Sequence, residues 1–193
     1  DGLSRRSAQK TCHILISYLN SWIAPILTFT AEEIYSKMPN AKDSIYLTEW
    51  FDIDFSMDDH EIDIYDSLYS IKPFVSRMIE EARNDNKVGS SLECKLDLIC
   101  NDKLYQNINN ISDELKFVFI VSECTLRLGN ENDNYSIDKN PYKLSISISK
   151  SQNNKCERCW HLNETVGTIE DHPTICRRCS DNVYGDGECR KFA

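Results

Sequence analysis

Lys155-Cys-Glu-Arg-Cys-Trp-His161 and, further on, Cys176-Arg-Arg-Cys179 decide how the last part of this chain folds. Cys156 and Cys159 form one Cys-x2-Cys pair, Cys176 and Cys179 form a second, and sixteen residues separate the two. Each such turn offers two thiolates to one ion, and zinc prefers four soft donors in a tetrahedron. Two turns close the shell and leave no open position for water. One Zn2+ bound by Cys156, Cys159, Cys176 and Cys179 is therefore expected to hold structure and to perform no chemistry. The alternative is two disulfides or free thiols. His161 follows closely, but four cysteines already fill a closed shell, so it is not expected to ligate.

The chain has 193 residues, 40% of them hydrophobic and 27% charged, which describes a globular chain of one large domain or two smaller ones. It starts at Asp1 inside what reads as a helix, and we expect it to be a piece of a longer protein. It contains no apolar run of about 18 residues, so no membrane span is expected, and no secretory signal opens it. Nine cysteines is an odd number, and Cys12, Cys94, Cys100 and Cys124 sit in apolar patterns. Buried free thiols of this kind suit a reducing compartment, which places the protein in the cytosol.

The net charge of -9 argues at first against a nucleic-acid partner. However, nine acidic residues and no Lys or Arg lie between Asp43 and Asp66, and the rest of the chain balances to zero. A basic face elsewhere is compatible with that balance. The acidic stretch reads as a solvated loop over 40–61, pinned by Tyr46, Trp50, Phe51 and Phe55.

The pattern along the chain predicts an α+β fold. It comprises part of a helical bundle over 1–88, a small mixed α/β junction unit over 89–150 and a four-cysteine zinc-finger module over 151–193. Ala8, Cys12, Leu15, Leu19 and Trp22 recur at helical steps over 4–23 and are expected to face the core. Pro25 ends that helix. Thr30-Ala-Glu-Glu33 reads as a capping box, with Phe29 and Ile34 placed for a hydrophobic staple, and Pro39 closes the short helix that follows. Ile64, Leu68, Ile71, Val75, Met78 and Ala82 form a third stripe, with a kink or break expected at Pro73. After Gly89 the period becomes two, with a strand over 92–100. A short helix near 101–111, a buried strand over 116–121, a loop over 129–141 and a strand over 144–148 follow. Lys150-Ser-Gln-Asn-Asn154 reads as a polar linker ahead of the zinc module.

No catalytic residues are expected. Within the zinc module, six basic and seven acidic side chains lie between Lys155 and Ala193, so the module is not basic as a whole. Arg158, Arg177 and Arg178 nevertheless sit in the two cysteine turns and are brought together when the metal site forms. Such a cluster can meet phosphates through charge-assisted hydrogen bonds. Trp160 can stack on an unpaired base or cover the metal site as a small core. Cys189 has no neighbouring base to activate it and reads as incidental.

Trp22-Ile-Ala-Pro-Ile-Leu-Thr-Phe-Thr-Ala-Glu-Glu-Ile-Tyr35 resembles the helical anticodon-binding domain of class I aminoacyl-tRNA synthetases of the isoleucine, valine and leucine group. Glu81-Ala-Arg83 with Lys87-Val-Gly-Ser-Ser-Leu-Glu93 resembles the segment that follows it. The tail, from Lys155-Cys-Glu-Arg-Cys-Trp-His161 through Gly185-Asp-Gly-Glu188 to Arg190-Lys-Phe-Ala193, resembles the C-terminal zinc finger of bacterial isoleucyl-tRNA synthetases. The resemblance implies a monomeric, cytoplasmic parent that joins isoleucine to its tRNA with ATP and clears mischarged valine. Editing of that kind is needed because binding separates amino acids differing by one methylene poorly. His-Ile-Gly-His-like and Lys-Met-Ser-Lys-Ser-like signatures do not occur, and Ser36-Lys-Met-Pro39 is only a partial echo. ATP is thus expected to be used by a catalytic domain outside this chain, while this piece binds isoleucine tRNA and works with the remaining domains. The acidic 43–66 stretch is expected to face away from the tRNA, and Cys189 stands where the family commonly has lysine. The alternative is the zinc finger of formamidopyrimidine-type DNA-repair glycosylases, whose helical block and N-terminal proline this chain does not resemble. A third reading has the zinc module brace the rest of the protein without touching RNA.

Overall fold

A computed structural model describes residues 3–50, 59–130, 133 and 135–188. Phe51 and Phe55, with the acidic residues Asp52, Asp54 and Asp58, lie outside the described residues, as do Cys189 and the basic tail 190–193. The chain divides into two compact units, one ending at residue 56 and one beginning at Met57.

In the first unit, α1 (Leu3–Ile23) stops two residues before Pro25, and α2 (Thr28–Ser36) follows. The Ile26 and Leu27 amides both donate to the Ile23 carbonyl, at 2.9 and 2.7 Å, and carry the chain round the corner. α2 therefore starts at Thr28, with Leu27 as its N-cap and no side-chain cap. The expected capping box at Thr30 does not form, because Thr30 is already inside the helix. The staple is absent too, since Phe29 is 91% exposed. Ala24, Ala31 and Ile45 form a small core, with Ile23 and Tyr35 packed on it. Ile45 belongs to a single 3-10 turn, Ile45–Leu47. The Tyr46 hydroxyl donates to the Ala24 carbonyl at 2.6 Å, and the buried Asn20 amide donates to the Ala31 carbonyl at 3.1 Å. The face of α1 that is buried carries Ser17 and Asn20 and runs on to Ala24 just past its end, whereas Leu15, Leu19 and Trp22 are exposed. Cys12, on the same stripe, is exposed as well. This reverses the expectation from periodicity. The short helix α2 packs on the Asn20–Ala24 side, where a buried amide can answer a carbonyl.

In the second unit, α3 (Asp59–Asn84) takes in Asp59 and Glu61, which the charge pattern had suggested for a loop. Both carboxylates lie in its first turn, where they favour the positive end of the helix dipole. The helix continues through Pro73 as one element. Pro73 lies on the exposed side, where water can serve the carbonyl left without its amide partner. Ile64, Leu68, Ile71, Val75, Ile79 and Ala82 meanwhile bury both halves against the same core. That core is shared with a sheet, so α3 packs with the sheet unit.

The four-stranded sheet has the order β2-β1-β4-β3. β1 (Cys94–Cys100) pairs parallel with β2 (Glu123–Leu128) and antiparallel with β4 (Tyr142–Lys150), which pairs antiparallel with β3 (Ile137–Lys139). Cys94, Leu96, Leu98 and Cys100 are all buried, as their alternation predicts. The parallel β1–β2 pair requires a crossover. It is supplied by α4 (Asp102–Ile108), a 3-10 segment (Asn109–Glu114) and α5 (Leu115–Val118). The run Lys116–Val121, expected as a strand, is thus helix and turn. Leu115 and Phe119, one helical turn apart, are both buried, and the Val121 amide donates back to the Lys116 carbonyl at 2.9 Å. This 6→1 closure places Ile120 at φ 57. Tertiary burial overrides the β-propensity of the run. β3 falls in the expected 129–141 loop; only Ile137 of its residues is buried.

Candidate metal centre and nucleic-acid interface

The segment expected to be a polar linker is pinned to the sheet. Ser151 is buried; its amide donates to the Glu93 carbonyl at 2.8 Å and its hydroxyl donates to Glu123. From there a short bridge pairs Lys155 with Leu162. The Trp160 amide donates to the Cys156 carbonyl at 2.9 Å, and the Cys156 amide donates to the His161 carbonyl at 2.9 Å. These two bonds fold Cys156–Cys159 into a tight turn. Cys176 caps α6 (Arg177–Tyr184), whose first turn carries Cys179. The Cys176 amide donates to Cys156 Sγ at 3.3 Å and joins the two turns.

The four sulfurs all lie within 4.8 Å of one another. Four sulfurs each about 2.3 Å from a tetrahedral zinc are roughly 3.8 Å apart. Cys159 Sγ and Cys176 Sγ are 3.7 Å apart, which fits that edge and is far beyond a disulfide bond. Cys156, Cys176 and Cys179 are buried, and Cys159 is half-buried. Burial opposes ionising Cys156, but amides of Cys159, Cys176 and Arg158 directed at its sulfur outweigh it and bring the thiol down to about 6. Burial and the neighbouring sulfurs push Cys176 up to about 12. Four thiolates at this spacing repel one another, and a divalent cation at their centre removes that conflict. Donor set, spacing and burial therefore support a structural zinc. The ring of His161 lies outside this cluster, packed edge-on to Phe117 at 5.9 Å.

The three arginines take different positions. Arg158 Nη1 donates to Cys179 Sγ at 3.5 Å, and this contact raises its pKa. Arg178 lies 3.8 Å from Glu188 Oε1; burial opposes its charge, but Cys159 and Glu188 outweigh burial and raise its pKa. Arg177 is exposed, and its guanidinium has no partner among the described residues.

Trp160 is 60% exposed, so it does not serve as a buried cover for the metal site. Its φ of 67 lies in the left-handed region, disfavoured for a residue with a bulky side chain. The turn geometry requires this conformation. Lys155 Nζ stands 4.5 Å from the indole centroid. The indole lines a groove of about 220 Å³ together with Ser90, Glu93, Lys150, Asn153 and Lys155. Lys150 Nζ lies 3.0 Å from Glu93 Oε2. That contact and the Gly89 amide hold the Glu93 carboxyl below its ordinary value. The groove lysines were not singled out from sequence. Lys155 adjoins the first ligand turn, but Lys150 and Glu93 reach the groove only through the β1–β4 pairing.

No helix among the described residues is long and apolar enough to cross a membrane. Residues 153–182 match the family described as "Zinc finger found in FPG and IleRS". Residues 1–98 match the family described as "Anticodon-binding domain of tRNA ligase". The whole chain is 41% identical over 195 residues to an isoleucine–tRNA ligase of Ruthia magnifica subsp. Calyptogena magnifica. It is 36% identical over 197 residues to those of Shewanella baltica (strain OS155 / ATCC BAA-1091) and Idiomarina loihiensis. It spans 21% of the length of these curated relatives. With both matches in the order expected and the similarity running from end to end, the chain belongs to the family of anticodon-binding domains of tRNA ligases.

Proposed function

We propose that the chain is the tRNA-binding C-terminal region of an isoleucine–tRNA ligase, a cytoplasmic and monomeric enzyme that attaches isoleucine to its tRNA with ATP. The helices recognise and position the anticodon stem, and the C-terminal module reaches the anticodon loop. Catalysis and ATP use belong to the remaining domains of the same enzyme. Cys156, Cys159, Cys176 and Cys179 hold one zinc ion, whose contribution is to fix the module's shape.

The observation that carries this reading is the exposed Trp160 indole, held at a left-handed φ beside a groove containing two lysines. An aromatic plane next to ammonium groups suits an unpaired base and its phosphate. Of the arginines, Arg177 meets phosphate, a role that its exposure supports, whereas Arg158 and Arg178 reach the tRNA backbone only by leaving the cysteine cluster. In the full-length enzyme, Trp160→Ala should reduce tRNA charging and spare isoleucine activation with ATP. Base stacking of about 1–3 kcal/mol corresponds to a loss of tRNA affinity of roughly 5- to 150-fold. Equal loss of both activities would sink the proposal. Removing Arg177, Lys150 and Lys155 should flatten the salt dependence of tRNA binding. An unchanged slope would instead favour a bracing role, for which the arginine–sulfur contacts and the pinned Ser151 speak.

A further inference from the structure

Phe117, on α5 of the sheet unit, receives two side chains from the C-terminal module. The His161 ring meets it edge-on, and the Arg178 guanidinium lies 4.8 Å from its centroid. Arg178 directly precedes the ligand Cys179 on α6, its charge acts on Cys159, and its side chain is only 25% exposed. One guanidinium thus joins the sulfur cluster to the sheet unit. Close by, the Leu162 amide donates to Ser122 Oγ at 2.7 Å, and Ser122 in turn donates to the Leu92 carbonyl at 2.5 Å. Ser122 is 4% exposed, so the Leu162 amide is shielded only while the module is docked.

We propose that Arg178 couples metal occupancy of the four-cysteine site to docking of the C-terminal module on the sheet. A closed site of four thiolates around a divalent cation keeps a net negative charge, which Arg158 and Arg178 offset at Cys179 and Cys159. Metal occupancy fixes Cys159 Sγ at one point, and that point holds the Arg178 guanidinium over Phe117. The coupling is reciprocal by thermodynamic necessity: whatever factor metal adds to docking, docking adds to metal affinity. Such factors are typically about 5- to 150-fold. The inference stands on the cysteines as ligands and is independent of tRNA binding.

The test uses the zinc-loaded chain and three readouts: zinc content, zinc release to an excess chelator, and hydrogen exchange at the Leu162 amide. Removing zinc should speed exchange at Leu162 by about 5-fold or more. Arg178→Gln should speed zinc release about 10- to 100-fold and expose the Leu162 amide while zinc is still bound. Phe117→Leu touches no cysteine, yet it should speed both Leu162 exchange and zinc release, by up to the coupling factor of about 5- to 150-fold. Arg77→Gln, at an exposed arginine of α3, should change none of the three readouts. Equal protection of Leu162 with and without zinc overturns the coupling, as does wild-type zinc release in Phe117→Leu when its Leu162 exchange is faster. A chain that takes up no zinc overturns both the ligand assignment and the coupling. Should Arg178→Gln fail to fold, Phe117→Leu still decides the question.

Discussion

At the scale of single residues, the sequence motif and the backbone make different demands on Trp160. The turn around Cys156 and Cys159 requires a left-handed residue directly after it, a position that glycine fills without strain. A tryptophan there costs about 1–2 kcal/mol relative to glycine. Trp160→Gly should therefore leave the zinc-loaded module more stable than Trp160→Ala by about 1 kcal/mol, although both remove the indole. Denaturant unfolding of the two zinc-loaded variants checks this, and equal midpoints would show that φ at 160 carries no strain. The presence of an exposed aromatic side chain at such a position is what directs attention to a ligand.

At the scale of elements, α1 and α3 show similar helical periodicity but behave oppositely. Ile71 on α3 is completely buried, and Ile71→Ala should destabilise the sheet unit by about 2–5 kcal/mol. Leu19, equally prominent in the sequence pattern, is 49% exposed. Leu19→Ala should change the stability of the first unit by no more than about 0.5 kcal/mol. A large loss at Leu19 would mean that the apolar stripe of α1 is covered after all. The sheet carries its own titration signature. Burial raises Cys100 to about 12, and burial with the Asp97 charge raises Cys124 to about 12. For an acid raised in the folded state, the stabilisation is complete below the unfolded value near 9. It is lost as pH climbs from there through about 12, because the unfolded chain sheds protons first. The slope of stability against pH above 9 should be shallower in Cys100→Ala, whatever its absolute stability. An unchanged slope would show that this thiol does not contribute.

At the scale of the whole molecule, the C-terminal module has its own small cluster around the cysteines, separate from the core of the sheet. Chelation is accordingly expected to unfold the module and leave the sheet cooperative. Ser122 is the junction between the two, since its oxygen accepts from Leu162 and its hydrogen goes to Leu92. Ser122→Ala leaves the Leu162 amide unsatisfied, a loss of about 1–3 kcal/mol of docking free energy. Faster exchange at Leu162 with zinc retained is the expected result, and unchanged exchange would place the docking energy elsewhere.

Much of the molecule is legible in local patterns of the chain: the four cysteines, the alternation of β1 and β4 and the stripe of α3. Cys-x2-Cys spacing is a property of one turn, and strand alternation follows from the pleat, so neither needs a distant partner to be read. Tertiary structure alone decided which face of α1 is buried, that Lys116–Val121 is a helix end, and that Arg158 and Arg178 serve sulfurs. It also placed Phe117 against the C-terminal module. Each of these depends on residues far apart in the chain. Burial and hydrogen bonding between them outweigh the local preferences of helix period, β-propensity and charge that a sequence displays.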